Sequence, residues 1–190
     1  MTKVKICGLR RKEDVLIANK YRPNYIGFVF AEKSPRKITK DEAIALKNLL
    51  NNDIIAVGVF RNNPIDDVID IASSGAINMI QLHGSEDDDY ISRLKKEVKL
   101  PIIKAYSNYS NADYALFDSD TPGEGKVFDW SKIDHTKPFF LAGGISRDNI
   151  LEALKQNPYC IDASSSLETN GFKDEAKIKE FIRLVRQNER

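Results

Sequence analysis

The sequence of 190 residues predicts a single closed (β/α)8 barrel that spans residues 1–190. Short apolar segments alternate about eight times with amphipathic segments of helical period, which is typical of parallel βαβ units. The apolar segments are nearly continuous in hydrophobicity, as expected for strands covered on both faces. An open doubly wound sheet is the alternative, but its G-x-G-x-x-G pattern does not follow the first strand.

Eight apolar segments rich in β-branched and aromatic residues are predicted as the barrel strands. In order they are residues 4–7, 25–30, 54–60, 79–83, 101–106, 114–118, 139–142 and 159–163. The predicted helices between and after them are residues 12–21, 40–51, 64–74, 86–96, 147–156 and 174–187.

Two helix starts have recognisable capping patterns. Thr39 with Glu42 forms a capping box, in which each side chain accepts from the backbone of the other residue. Asn63 is the expected N-cap of the third helix, with Pro64 at the first helical position.

Two connections lack the helical pattern. Residues 107–113, between the fifth and sixth strands, are too few and too polar for a helix with two loops. We therefore predict that the fifth helix is missing or reduced to a turn. The sixth connection, around residues 128–131, is also irregular.

Composition narrows the class of protein. The chain is 42% hydrophobic and 30% charged, with a net charge of +1, which argues against a nucleic-acid-binding surface. Its two cysteines, Cys7 and Cys160, are far apart in sequence and predict a reducing compartment. No signal-peptide pattern or membrane-length apolar stretch is present, so we expect a cytoplasmic protein without a membrane partner.

Glycines and serines after the last two strands predict a phosphate site. Gly143 and Gly144 follow strand seven, and Ser164 and Ser165 follow strand eight. Paired glycines let backbone N–H groups approach an anion, and these two loops are a frequent phosphate site in (β/α)8 barrels. The alternative is a tight turn with serine caps.

Polar groups at other strand ends predict acid–base chemistry. Cys7 ends strand one and Asp118 ends strand six across the barrel, so the thiol and the carboxyl group are a candidate acid–base pair. Arg36 in the strand-two loop is a candidate carboxylate clamp, and His83 after strand four is a candidate substrate-binding residue that acts as a hydrogen-bonding partner and not as a catalyst. The alternatives are a buried structural thiol and a solvated basic loop. With two histidines and no ligand-spaced cysteines, no metal site is predicted.

Side-chain alternation predicts an ion pair inside the barrel. Lys5 shares a strand face with Cys7, and Asp162 shares one with Ser164. The first and eighth strands are neighbours in a closed barrel, and a buried lysine needs a partner. We expect Lys5 to pair with Asp162 and to lower the pKa of Cys7.

Several short motifs resemble those of the phosphoribosylanthranilate isomerase family of tryptophan biosynthesis. Each motif is weak alone, but together they cover nearly the whole chain in order and at barrel-compatible spacing. They are residues 5–9, 27–30, 33–36, 57–60, 81–84, 128–130, 142–144 and 162–165, which read KICGL, GFVF, KSPR, VGVF, QLHG, FDW, AGG and DASS.

The resemblance implies an Amadori rearrangement of N-(5-phospho-β-D-ribosyl)anthranilate to 1-(2-carboxyphenylamino)-1-deoxy-D-ribulose 5-phosphate. It implies that Asp118 is the general acid, Cys7 is the general base and Arg36 holds the anthranilate carboxylate. Gly144 and Ser165, with their neighbours, would hold the phosphate. No cofactor is implied, and we expect a monomer or homodimer.

The sequence departs from the family at three places. Ser166 stands where the family usually has glycine, the glycine-rich loop after Asp118 is shortened, and the fifth helix is missing, which is unusual for the family.

Three rival functions remain open at this point. Indole-glycerol-phosphate synthase would need a lysine acid and glutamates at strand ends, and the histidine-pathway sugar isomerase would place aspartate after strand one. A non-catalytic phosphosugar-binding barrel could lose Cys7 or Asp118, but both are present.

Overall fold

The predicted eight-stranded barrel is confirmed by the computed structural model, which describes residues 1–106, 111–118, 129, 130, 133 and 135–188. The strands are β1 (Lys3–Cys7), β2 (Tyr25–Val29), β3 (Ile55–Phe60), β4 (Met79–Leu82), β5 (Ile102–Ala105), β6 (Tyr114–Phe117), β7 (Phe139–Leu141) and β8 (Cys160–Ala163). Each strand pairs with the next in parallel, and β8 pairs with β1, which closes the barrel.

Helices cover the outside of the barrel. They are α1 (Lys12–Tyr21), α2 (Lys40–Lys47), α3 (Ile65–Ser73), α4 (Asp88–Glu97), α5 (Ile150–Leu154) and α6 (Glu175–Gln187). Among the described residues, no helix has both the length and the apolar character that crossing a membrane requires. A 3-10 turn (Ser165–Leu167) and a short hairpin of β9 (Glu168–Thr169) and β10 (Phe172–Lys173) connect β8 to α6.

The core has two layers because the strands are covered on both faces. One layer fills the barrel interior, and the other lies between the strands and the helices. The main cluster of the interior layer is Tyr25, Val57, Met79, Ile103, Ala105, Leu116, Phe140, Ala142 and Cys160. A separate small cluster of Val29, Ala31 and Val59 lies at the carboxyl ends of the strands and packs against Cys7.

The helix starts follow local capping chemistry only in part. The Thr39 hydroxyl accepts from the Glu42 N–H at 3.2 Å and the Glu42 carboxylate accepts from the Thr39 N–H at 2.7 Å, so the capping box is confirmed. The expected cap at Asn63 is wrong. Its side chain accepts from the Arg61 N–H instead, and Pro64 is the N-cap of α3.

The fifth connection contains no helix among its described residues, which are 106 and 111–113. Tyr106 turns the chain directly after β5 with a φ of 60°, a conformation that does not continue a strand or a right-handed helix. Residues 107–110 of this connection, and residues 119–128 after Asp118, lie outside the described residues.

The predicted ion pair inside the barrel is confirmed. Lys5 and Asp162 are register partners on β1 and β8, and the Lys5 ammonium lies 2.6 Å from a carboxylate oxygen of Asp162. The Lys5 side chain is fully buried and that of Asp162 is 6% exposed. Each charge therefore depends on the other for compensation.

Replacing Lys5 by methionine is expected to lower the free energy of unfolding by about 3–5 kcal/mol, because it leaves a buried carboxylate without its partner. Urea denaturation of the variant and the wild type measures this loss. Lys20→Met is the control, since Lys20 forms an exposed ion pair with Glu175 and should change stability little. Equal, small losses in both variants would contradict the prediction.

Candidate active site

The predicted site residues all line one cavity of about 230 Å³ at the carboxyl ends of the strands. This is the face at which active sites of (β/α)8 barrels form. The residues are Cys7, Arg36, His83, Asp118, Gly143, Gly144, Ser164 and Ser165.

The Cys7 thiol lies at the end of β1 in space that Gly27 leaves open. The two residues are register partners on β1 and β2, and a Cβ on Gly27 would stand 2.7 Å from the Cys7 sulfur. A side chain on Gly27 would therefore displace the thiol. Sequence reasoning did not identify this role of Gly27, although its motif was recognised.

The net effect of charge and burial on the pKa of Cys7 differs from the sequence-based expectation. Burial of the thiol is the largest influence and raises the pKa of Cys7, while the nearby ammonium of Lys5 lowers it by a smaller amount. The expected direction of the Lys5 effect is right, but burial outweighs it. The thiol is therefore predominantly neutral in the free protein at neutral pH.

This balance predicts the pH dependence of alkylation at Cys7. Below its pKa the thiolate fraction rises tenfold per pH unit, and a raised pKa moves that rise to more alkaline pH. In a Cys160→Ser background, the iodoacetamide rate is expected to keep increasing beyond about pH 8.5, the ordinary thiol value. A rate that levels off below about pH 8 would show a lowered pKa instead.

Asp118 is held by the ring of His83. One carboxylate oxygen of Asp118 lies 3.1 Å from His83 Nε2, which is also 3.1 Å from the Tyr106 hydroxyl. The Gln81 amide nitrogen lies 2.8 Å from His83 Nδ1. Since an amide N–H can only donate, Nδ1 accepts in this arrangement, and a proton on Nε2 faces Asp118. This geometry makes His83 a positioning partner of Asp118. Substrate binding by His83 remains a prediction.

The two predicted phosphate loops face the same cavity. Gly143 and Gly144 have φ values of 79° and 64°, in the left-handed region that favours glycine. The backbone N–H groups of these glycines donate no hydrogen bond to any described residue. The Ser166 hydroxyl donates to the Ile145 carbonyl at 2.6 Å and so joins the two loops. Ser166, which replaces the usual glycine, thus has a structural role here.

Arg36 lines the same cavity beside Ser164, since both side chains lie against Gly8, and it has a protein partner that was not predicted. Its Nε and one Nη donate to the two carboxylate oxygens of Glu168, both at 2.7 Å. Lys173 also donates to Glu168, at 2.7 Å. The Asn170-Gly171 pair, a common hairpin turn, was the sequence signal that could have placed Glu168 opposite Lys173.

Two acceptor atoms at the cavity are buried. Asp162 Oδ1 and Gln81 Oε1 make no hydrogen bond to the described residues, and both side chains line the cavity. A ligand with hydroxyl groups could satisfy such acceptors. In the described part of the chain, no three His, Cys, Asp or Glu side chains are grouped as metal ligands would be.

Comparison with known proteins agrees with this geometry. Residues 4–184 match the family model of N-(5'-phosphoribosyl)anthranilate isomerase. The chain is 47% identical to the N-(5'-phosphoribosyl)anthranilate isomerase of Endomicrobium trichonymphae, over 98% of this chain and 99% of that protein.

Solved structures agree as well. The phosphoribosylanthranilate isomerase of Thermus thermophilus superposes with a TM-score of 0.90 at 30% identity, over 99% of this chain and 100% of that one. Another phosphoribosylanthranilate isomerase was solved with reduced 1-(o-carboxyphenylamino)-1-deoxyribulose 5-phosphate. It superposes with a TM-score of 0.86 at 31% identity, over 98% of this chain and 100% of that one. With the match to the family model and the barrel cavity, these similarities show that the chain belongs to the N-(5'-phosphoribosyl)anthranilate isomerase family.

Proposed function

We propose that this protein isomerises N-(5-phospho-β-D-ribosyl)anthranilate to 1-(2-carboxyphenylamino)-1-deoxy-D-ribulose 5-phosphate in tryptophan biosynthesis. The observation that carries the proposal is the shared cavity. A thiol and a carboxyl group, Cys7 and Asp118, face the same space as the two glycine- and serine-rich loops and Arg36. Residues 1–190 act as one catalytic barrel domain in this proposal.

The acid and the base act in sequence. Asp118 gives its proton to the furanose ring oxygen, the C1–O bond breaks, and the anthranilate nitrogen supplies the electron pair that forms the iminium. The thiolate of Cys7, which is the minor form in the free protein at neutral pH, then removes the C2 proton, which gives an enolamine that tautomerises to the ketone. The atoms of substrate and product are the same, so the step needs no oxidant or reductant.

The binding groups are arranged for the three parts of the substrate. Gly143, Gly144, Ser164 and Ser165 would hold the phosphate through backbone and hydroxyl donors. Arg36 would hold the anthranilate carboxylate. The buried acceptors of Asp162 and Gln81 would receive the sugar hydroxyls.

The rival functions fit the cavity less well. Indole-glycerol-phosphate synthase chemistry needs a lysine and glutamates, but no lysine or glutamate is among the described lining residues. Lys5 is paired with Asp162, and Lys104 donates to the carbonyls of Gly84 and Ala105. Cys7 stands where the histidine-pathway isomerase would place aspartate. A passive phosphosugar-binding barrel has no need of Cys7 and Asp118 together.

The setting of the enzyme is part of the proposal. Cys7 and Cys160 are both free thiols, which favours the cytoplasm. Every predicted site residue comes from a single chain, so either a monomer or a homodimer could be active. The proposed ligand is the phosphosugar-anthranilate alone, without nucleic acid, membrane or cofactor.

Decay of anthranilate-riboside fluorescence tests the proposal directly. Purified protein is mixed with freshly formed N-(5-phosphoribosyl)anthranilate, and a fluorescence decay faster than spontaneous hydrolysis is expected. The Cys7→Ser/Asp118→Asn variant is the control for background decay. A wild-type rate equal to that control would overturn the proposed function.

A further inference from the structure

Three charged side chains form a row at the edge of the cavity. Glu168 lies in the middle and receives two hydrogen bonds from Arg36 and one from Lys173, each at 2.7 Å. The Arg36 side chain is 24% exposed, whereas those of Glu168 and Lys173 are 8% and 1% exposed. Glu168 and Lys173 thus belong to the protein interior, and Arg36 reaches the cavity.

The hairpin after β8 fixes the carboxylate of Glu168. Asn170 and Gly171 have φ values of 53° and 77°, as in the two-residue turns that favour this pair. The turn places Glu168 opposite Lys173 on β9 and β10. The Lys173 ammonium also donates to the Ser164 carbonyl at 3.1 Å, which ties the hairpin to the predicted phosphate loop.

The contacts of Arg36 with the described residues leave one edge of its guanidinium group open for a ligand. A guanidinium can bind a carboxylate through Nε with one Nη, or through its two Nη atoms. Glu168 takes the first edge, and Nη1 makes no hydrogen bond to the described residues. A Cβ on Gly8 would stand 2.5 Å from Arg36 Cδ, so the side chain lies against the Gly8 backbone. The Arg36 guanidinium is therefore held in place from two sides.

We infer that Glu168 is a positioning residue, which directs the Nη edge of Arg36 into the cavity as a preformed site for an aryl carboxylate. Lys173 is its counter-charge. This inference rests on the proposed function, because the carboxylate in question is that of the anthranilate group. A clamp that is rigid before binding loses less conformational freedom when the ligand arrives.

The charges support this arrangement. Burial alone would raise the pKa of Glu168, but hydrogen bonds from Arg36 and Lys173 lower it below its ordinary value, so Glu168 is ionised. One anion between two cations leaves a net charge of +1. Without Lys173, the negative charge of Glu168 would cancel the positive charge of Arg36. The electrostatic attraction between this group and the substrate carboxylate would then be weak.

Two ligands test this inference. One is reduced 1-(o-carboxyphenylamino)-1-deoxyribulose 5-phosphate, which carries the aryl carboxylate. The other is the same compound with an anilino group that lacks the carboxylate. Isothermal titration calorimetry of Glu168→Gln is expected to show roughly tenfold to hundredfold weaker binding of the carboxylate ligand. Binding of the anilino ligand should be unchanged. Glu175→Gln, in an exposed ion pair on α6, is the matched control.

A second variant distinguishes a loss of binding from a folding defect. Glu168→Gln leaves Lys173 buried without its partner, so Glu168→Gln/Lys173→Met removes both charges, and thermal melting checks that each variant is folded. In an Arg36→Met background, Glu168→Gln should cause no additional loss of affinity for the carboxylate ligand.

Each outcome has a distinct meaning. Equal losses for both ligands, or no loss, would reduce Glu168 to a structural residue and overturn the inference. Tighter binding of the carboxylate ligand would show that Glu168 competes with it for Arg36, which also overturns the inference. Failure of the wild-type protein to bind either ligand would count against the proposed function itself.

Discussion

Replacing Cys7 by serine is expected to lower kcat by roughly 10²–10⁴-fold, with little change in KM. A hydroxyl is a far weaker base than a thiolate, and it keeps the shape of the side chain. Stability should be nearly unchanged, because Cys7 stands at the barrel mouth against Gly27 and not within the packed interior layer. Steady-state kinetics and thermal melting measure both effects.

The control for this experiment is Cys160→Ser. Cys160 is fully buried within the barrel and does not line the cavity. Its replacement should leave kcat close to that of the wild type. A Cys7→Ser variant with near-wild-type kcat would make Cys7 a structural thiol and require another base.

Replacing Asp118 by asparagine is expected to lower kcat by roughly 10²–10⁴-fold, because the amide has no acidic proton to give to the ring oxygen. The amide has nearly the same shape and can still accept a hydrogen bond from His83 Nε2, so KM and the melting temperature should change little. The measurements are kcat, KM and the melting temperature.

Asp70→Asn provides the comparison for Asp118. Asp70 lies on α3 in an exposed ion pair with Lys40 and does not line the cavity, so the kinetics of this variant should match the wild type. Retained activity in Asp118→Asn would contradict the assignment of the acid. A melting temperature far below that of Asp70→Asn would indicate lost packing and not lost acid catalysis.

The barrel was predictable because its causes are local. Each strand is a short apolar segment, and the alternation with amphipathic helices indicates parallel connections. Once the strands close in order, the segments that follow them meet at one end, which is why residues as distant as Cys7, Asp118 and Ser165 line a single cavity. The pairing of Lys5 with Asp162 followed from side-chain alternation and strand order.

The ends of the helices were less predictable than the helices themselves, because tertiary contacts compete with local helix propensity. The pattern of residues 147–156 suggests a helix of ten residues, but α5 contains only Ile150–Leu154. The Asn149 side chain accepts from the Ser146 N–H at 2.8 Å and donates to the Gly144 carbonyl at 2.9 Å, so it is bonded to the loop that precedes α5. Such exchanges between side chain and backbone depend on geometry that a sequence pattern does not contain.

The sequence by itself determined the closed barrel, the strand ends and the set of groups at its mouth. The tertiary structure decided how those groups are held. Glu168 is 132 residues from Arg36, and no periodic pattern joins them, because their contact depends on the path of the hairpin after β8. The pKa of Cys7 was likewise set by the depth of the thiol, since burial raises it more than Lys5 lowers it. Periodicity specifies which face a side chain lies on, but how far it is removed from water is fixed only when the barrel closes.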